Sequence, residues 1–147
     1  ISSGRSMASA LVQGADGVVC GTGFYAAHEA LSHPYAKARA IEISGDETCR
    51  TRFFDQIRGL DWPRPWTLRT YKNDFANEVL KDEDFCAIEA WRGRYEHAEK
   101  LGNFDVAALI VGEGVGILRE ETSAETIMRV MLYEAEAALS GARSLIK

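Results

Sequence analysis

The chain has 147 residues, 46% hydrophobic and 27% charged, with a formal net charge of -5. That length suits one domain or part of a larger one. The acidic balance excludes a general nucleic-acid binder, whose affinity comes from clustered Lys and Arg; the pairs Arg50/Arg52 and Arg92/Arg94 read as solvated faces.

The longest apolar run, 106–111, falls far short of the ~20 residues that cross a bilayer, and no basic-then-apolar leader opens the chain. Cys20, Cys49 and Cys86 are too widely spaced for the usual zinc patterns, so no metal site is predicted. Their sparse, odd number suits reduced thiols and a cytoplasmic location. Ile1 stands in a segment that reads as mid-protein, so the expectation is a fragment, or a product trimmed at its N-terminus.

Ser3 or Ser6 caps a first predicted helix, with Met7, Ala10 and Leu11 on one face and Gly14 at its end. Residues 18–20 (Val-Val-Cys) read as a short buried strand between Gly17 and Gly21. Helix, tight turn, strand and Gly-rich loop are the grammar of a repeating α/β unit. From Phe24 to Glu42 the pattern is helical but broken by Pro34, which starts a second helix after His33.

Gly45-Asp46 marks a turn, residues 48–54 can be extended, and Asp61-Trp62-Pro63-Arg64-Pro65-Trp66 is an irregular aromatic connection. Two further helices are predicted over 69–80 and 83–101. The second carries Phe85, Ile88, Trp91, Tyr95 and Ala98 on one face and is stopped by Gly102 and Asn103. An apolar stretch over 104–111 leads into Gly-Glu-Gly-Val-Gly at 112–116. Thr122-x-x-Glu125 reads as a capping box for a last helix buried through Ile127, Val130, Met131, Ala135, Ala138 and Leu139. A single short strand cannot make a sheet, so its neighbours are expected upstream.

Gly21-Thr22-Gly23 just before a helical pattern suits a phosphate, because glycines admit a ligand to the backbone and helix N-termini favour anions. In (β/α)₈ barrels the loops after strands 7 and 8 frequently form such a site. Spacing alone leaves open the plainer reading, that Gly17 and Gly21 only bracket a strand. Gly112-x-Gly114-x-Gly116 lacks the full dinucleotide fingerprint, and Glu113 in it repels a phosphate. His28, His33 and His97 have no ligand or triad partners and read as structural or surface residues. Asp46, Glu47, Asp82, Glu83 and Asp84 read as loop and helix-start charges.

The stretch GRSMASALVQGADGVVCGTGF, continuing into AAHEALSHPYAKA, resembles the nitronate monooxygenase (2-nitropropane dioxygenase) family of FMN-dependent (β/α)₈ barrels. The matching positions are Gly14, Ala15, Gly17, Val18, Gly21, Thr22, Phe24, His33 and Pro34. The likeness returns in FDVAALIVGEGVGILRE, which corresponds to a segment lying near flavin and substrate in that family.

The resemblance implies an α/β fold: the C-terminal part of the barrel, with its last helix–strand unit, followed by a mostly helical segment. Residues 1–43 would end the barrel, 44–122 form a small substrate-side portion and 123–147 the C-terminal helix. It implies FMN as cofactor, with Gly21, Thr22 and Gly23 at its phosphate; Gly23 is the weaker assignment, since the family usually has Arg there. No catalytic residue falls in the chain, because the family's active-site histidine and its Gly-Gly pair belong upstream. The implied reaction takes a small alkyl nitronate and O₂ to a carbonyl compound and nitrite. Alternatives are another flavin barrel such as an enoyl-ACP reductase, or a non-enzymatic helical interaction module using Trp62 and Trp66.

Overall fold

The computed structural model describes residues 1–81, 88–142 and 144. The predicted helix start at 83, Phe85, Cys86, the carboxylates Asp82, Glu83 and Asp84, and the end of the C-terminal segment lie outside the described residues. In chain order come α1 (Gly4–Val12), α2 (Pro34–Glu42), β1 (Thr48–Thr51), α3 (Phe53–Ile57), β2 (Leu68–Tyr71), α4 (Asp74–Val79), α5 (Ile88–Leu101) and α6 (Ala124–Ala142). Short 3₁₀ turns cover Thr22–Phe24, Gly45–Glu47 and Glu113–Ile117.

Ser3 caps α1 and exchanges hydrogen bonds with Ser6. Gly14, at φ +97, ends the helix: its N–H bonds to the Leu11 carbonyl, and that of Ala15 to the Ala10 carbonyl. This is a Schellman closure, for which glycine is suited because it has no Cβ to clash at positive φ. The buried face differs from the predicted one. Gly4 and Ala8 are buried, while Met7, Ala10 and Leu11 are half-buried. The reason is the crossing with α6: a Cβ on Gly4 would overlap the Met131 carbonyl and Glu134 Cβ, so the smallest residues occupy the contact.

Residues 18–20 form no strand. Val19 is 90% exposed, since a parallel strand needs partners on its edges and the described residues supply none. The predicted helix from Phe24 shrinks to the 3₁₀ turn at Thr22–Phe24, and the regular helix begins only at Pro34, with His33 Nδ1 capping the Tyr35 N–H. Extension over 48–54 stops at Thr51, where the Thr51 hydroxyl takes the Phe53 N–H and starts α3. The predicted helix over 69–80 divides into β2, paired antiparallel with β1, and α4. Strand pairing with β1 overrides the local helical pattern there.

The face predicted for α5 is present: Tyr95 and Ala98 are buried, and Ile88 and Trp91 pack on the same cluster. Gly102, at φ +66, ends it. The cap of α6 falls one residue later than predicted. Ser123, not Thr122, accepts the Thr126 N–H, because Thr122 is bridged in parallel to Ala27. Of the predicted stripe, Met131 and Ala135 are buried whereas Val130 and Leu139 are exposed.

Two apolar clusters form. One gathers Ala26, Ala36, Ala40, Ile43, Leu109, Val111, Val115 and Leu118. The other is aromatic, built on Phe53, Phe54, Ile57, Phe75, Ala76, Val79 and Tyr95. Its rings meet mostly edge-to-face, with Phe53 and Phe75 centroids 5.5 Å apart and Trp91 at 5.5 Å from Phe53, the arrangement favoured by ring quadrupoles. Burial pushes the Tyr95 hydroxyl up to about 12.

The α1–α6 crossing gives a direct test. Gly4→Ala forces the two backbones apart and is expected to cost about 1–3 kcal/mol, read as a fall of several degrees in Tm. A variant with unchanged Tm would show that the crossing is looser than the structure has it.

Candidate cofactor cleft

Gly21, Thr22 and Gly23 lead the 3₁₀ turn, whose first N–H groups have no carbonyl behind them. The turn's own bonds run from Phe24 N–H to Gly21 O and from Tyr25 N–H to Thr22 O. Among the described residues no acceptor faces the N–H groups of Gly21, Thr22 or Gly23. A Cβ built on Gly21 would meet nothing within 4 Å, so this backbone is open to approach.

The three predicted site residues divide between two spaces. Gly21 and Thr22 line an open cleft of about 410 Å³ with Tyr25, Arg69, Val111 and Gly112. Gly23 is buried on the other side of the turn, where a Cβ would come 3.9 Å from the Ser2 Cα. There it lines a separate, mainly apolar cavity of about 220 Å³ with Ser2, Gly114, Ile127, Met131 and Glu134.

Thr22 does more than face the cleft. Its Oγ1 accepts the Gly112 N–H at 2.8 Å, which fastens the Gly-Thr turn to the start of the Gly-Glu-Gly-Val-Gly segment. A threonine hydroxyl keeps its own proton while accepting, so Thr22 still has a donor. Glu113, which sequence alone set against a phosphate, is paired with Arg69 Nη2 at 2.9 Å.

Sequence reasoning missed Lys37. It is buried on α2, and its Nζ donates to the carbonyls of Ala27 at 2.6 Å and His28 at 3.3 Å. A buried ammonium must be hydrogen-bonded, and here it fixes the chain just after the Gly-Thr turn. The available signal was its position between Ala36 and Ala40 on an otherwise apolar helix face. The histidines are placed as expected: His33 caps α2 and meets the Phe104 ring at a tilt, centroids 5.8 Å apart, and His97 is exposed.

Charged side chains also close two helix starts. Glu29 accepts the Ala124 N–H at the start of α6, and that bond, first among its causes, holds the exposed Glu29 carboxyl below the usual range. Glu134 accepts the Gly4 N–H at 2.9 Å at the start of α1. Carboxylates suit these ends because the unpaired N–H groups there carry partial positive charge.

Fold and cleft define a mixed α/β chain whose Gly-Thr turn presents unpaired N–H groups beside Arg69. A family model described as nitronate monooxygenase matches residues 1–134. The chain belongs to the nitronate monooxygenase family, a family of enzymes. It is 31% identical to nitronate monooxygenase npaC of Metarhizium robertsii, over 93% of this chain and 40% of that protein. It is 27% identical to a nitronate monooxygenase of Neurospora crassa, over 92% of this chain and 36% of that protein. The chain thus spans about two fifths of the length of these curated relatives. Among solved structures, FabK from Thermotoga maritima superposes with a TM-score of 0.78 at 26% identity, over 99% of this chain and 45% of that one. Nitroalkane oxidase from Streptomyces ansochromogenes gives a TM-score of 0.74 at 23% identity, over 97% and 39%, a likeness of fold. Among the described residues no helix is long and apolar enough to cross a membrane.

The Thr22–Gly112 bond is testable by an isosteric change. Thr22→Val leaves the half-buried Gly112 N–H without its acceptor, at a cost of about 1–2 kcal/mol. Amide hydrogen exchange at Gly112 should speed up accordingly; unchanged protection would mean the bond does not hold the two loops together.

Proposed function

We propose that this chain is the C-terminal, cofactor-contacting part of an FMN-dependent nitronate monooxygenase. The observation that supports it is the Gly21–Thr22 turn, with unpaired N–H groups opening on a cleft that also holds Arg69. Three features fit a phosphate monoester: unspent backbone donors, a hydroxyl donor on Thr22, and a cation. On this reading Gly21 and Thr22 hold the phosphate, and Gly23 contributes its backbone from the far side of the turn. Residues 1–43 then close the barrel, 44–122 make the small substrate-side portion and 123–147 the C-terminal helix.

A bound flavin would supply the redox chemistry that turns a nitronate and O₂ into a carbonyl compound and nitrite. This chain's share is to bind and orient. Thr22 and Gly112 keep the two glycine segments in register, Lys37 holds the backbone behind the turn, and Val111 lends the cleft an apolar wall. On this reading the family's active-site histidine belongs upstream of these residues. The setting proposed is the cytoplasm, and the reactants are a small nitronate and O₂.

The test is to express the chain together with the coding sequence that precedes Ile1. A yellow product that retains FMN and releases nitrite from propane-2-nitronate is the expected result. A folded, colourless product that takes up no flavin on reconstitution would sink the reading. The 147 residues alone are expected to bind FMN weakly, because most of the enclosing surface belongs to the remaining three fifths of the family fold. Tight stoichiometric quenching of flavin fluorescence by the chain alone would contradict that.

A further inference from the structure

Among the described residues lining the cleft in front of Gly21 and Thr22, Arg69 on β2 carries the only charge. Its Nη1 donates to Thr48 Oγ1 at 3.0 Å, and its Nη2 pairs with Glu113 Oε1 at 2.9 Å. A guanidinium has five N–H donors in a fixed fork, and the others meet no acceptor among the described residues.

The hairpin register adds an independent observation. Arg69 lies directly opposite Arg50, and opposed residues of an antiparallel pair share one face of the sheet. Arg50 donates to the hydroxyl of Thr67 at 3.0 Å, a residue that also lines the cleft. Among the described residues Arg50 has no carboxylate partner, so two cations share this face with Glu113 as their one ion-paired carboxylate. Like charges directly opposed destabilise a strand pair, and a bound anion relieves that repulsion. Glu113 is itself largely exposed, with 70% of its side chain open to solvent. Such a pair is weak, and the guanidinium can accept a second oxyanion on its free edge.

We propose that Arg69 is the anion-recognition residue of this cleft, engaging one oxyanion group of the bound ligand while Glu113 and Thr48 hold the guanidinium in place. The ligand class rests on the flavoenzyme reading: a phosphate monoester or a nitronate, which share oxyanion chemistry. Arg69 binds here; it performs no bond-making step.

The experiment titrates the ¹⁵N-labelled 147-residue chain at low ionic strength, where charge pairing is least screened. One arm uses inorganic phosphate and the other propane-2-nitronate, read by amide shifts at Arg69, Thr22 and Gly112. Arg69→Ala should weaken binding by about ten-fold or more, as loss of a charge-assisted hydrogen bond does. Arg69→Lys should fall between, keeping charge but not the fork. Glu113→Gln should tighten binding by about two- to five-fold, since it removes an opposing, mostly exposed charge. Both substitutions at the pair break the same salt bridge, so a purely structural role would move both the same way; recognition moves them in opposite directions.

Response to phosphate alone assigns the residue to a phosphate ester, and response to the nitronate alone assigns it to substrate; either supports the proposal if it depends on Arg69. No saturable response to either anion, an Arg69→Ala affinity equal to the parent's, or weakening by Glu113→Gln overturns it. If Arg69→Ala fails to fold, the Arg69→Lys and Glu113→Gln variants decide the matter by their opposite signs. An Arg69-dependent anion response in a protein that never takes up flavin removes the flavin reading and leaves this one standing. Flavin binding in the longer product that ignores Arg69→Lys, with no anion response in the chain, removes this one alone.

Discussion

The buried amide of Asn73 is the constraint on which the rest of this fold hangs. Its Nδ2 donates to the carbonyls of Phe104 and Ala107, both at 3.0 Å, while its Oδ1 accepts the Ala76 N–H at 2.8 Å and starts α4. One side chain, fully buried, thereby fixes where the hairpin ends, where a helix begins and where the return segment at 104–111 runs. The Thr70 hydroxyl and the Tyr71 N–H both reach the Leu109 carbonyl, continuing the same attachment along β2. Without these bonds the carbonyls of Phe104, Ala107 and Leu109 would lose these partners, which costs more than the bonds themselves gain.

The return segment then separates two interiors. Val106 and Ala108 pack on the aromatic cluster, while Leu109 and Val111 belong to the aliphatic one. Because this segment leads straight into Gly112 and Glu113, any shift in it is carried to the cleft. The aromatic cluster, distant in sequence from the Gly-Thr turn, thus sets the position of the N–H that Thr22 captures. Link by link, a polar side chain in a core becomes a constraint on the Gly-Thr turn.

How much of this was legible in the sequence follows from the range of the interactions. Helix ends were readable where the cap is local: Ser3 and Gly14 for α1, Pro34 for α2, Gly102 for α5. Elements decided by distant partners were not. Residues 69–71 fall in the predicted helix but pair with β1, and the α6 cap moved because Thr122 is taken by Ala27. Residues 18–20 have strand composition and no strand partner among the described residues, so composition alone misled. At the cleft, the Gly-Thr turn stood out from its glycines, and the fold brings Gly21 and Thr22 to one space while Gly23 faces another. Arg69 and Lys37 carried no motif. Each becomes visible only when segments more than nine residues apart are brought together, Arg69 with Glu113 and Lys37 with Ala27.

The turn that offers unpaired N–H groups must be rigid to be useful, since an ordered donor binds without the entropy cost of arranging it. Here the rigidity comes from one side. Lys37 grips the Ala27 and His28 carbonyls, Thr122 bonds the His28 N–H at 2.9 Å, and Thr22 holds Gly112. On the other side, Gly17, Val19 and Gly21 stand exposed, with Val18 and Cys20 half-buried between them. A loop fixed from behind and open in front keeps its donors aimed outward while leaving them unsatisfied.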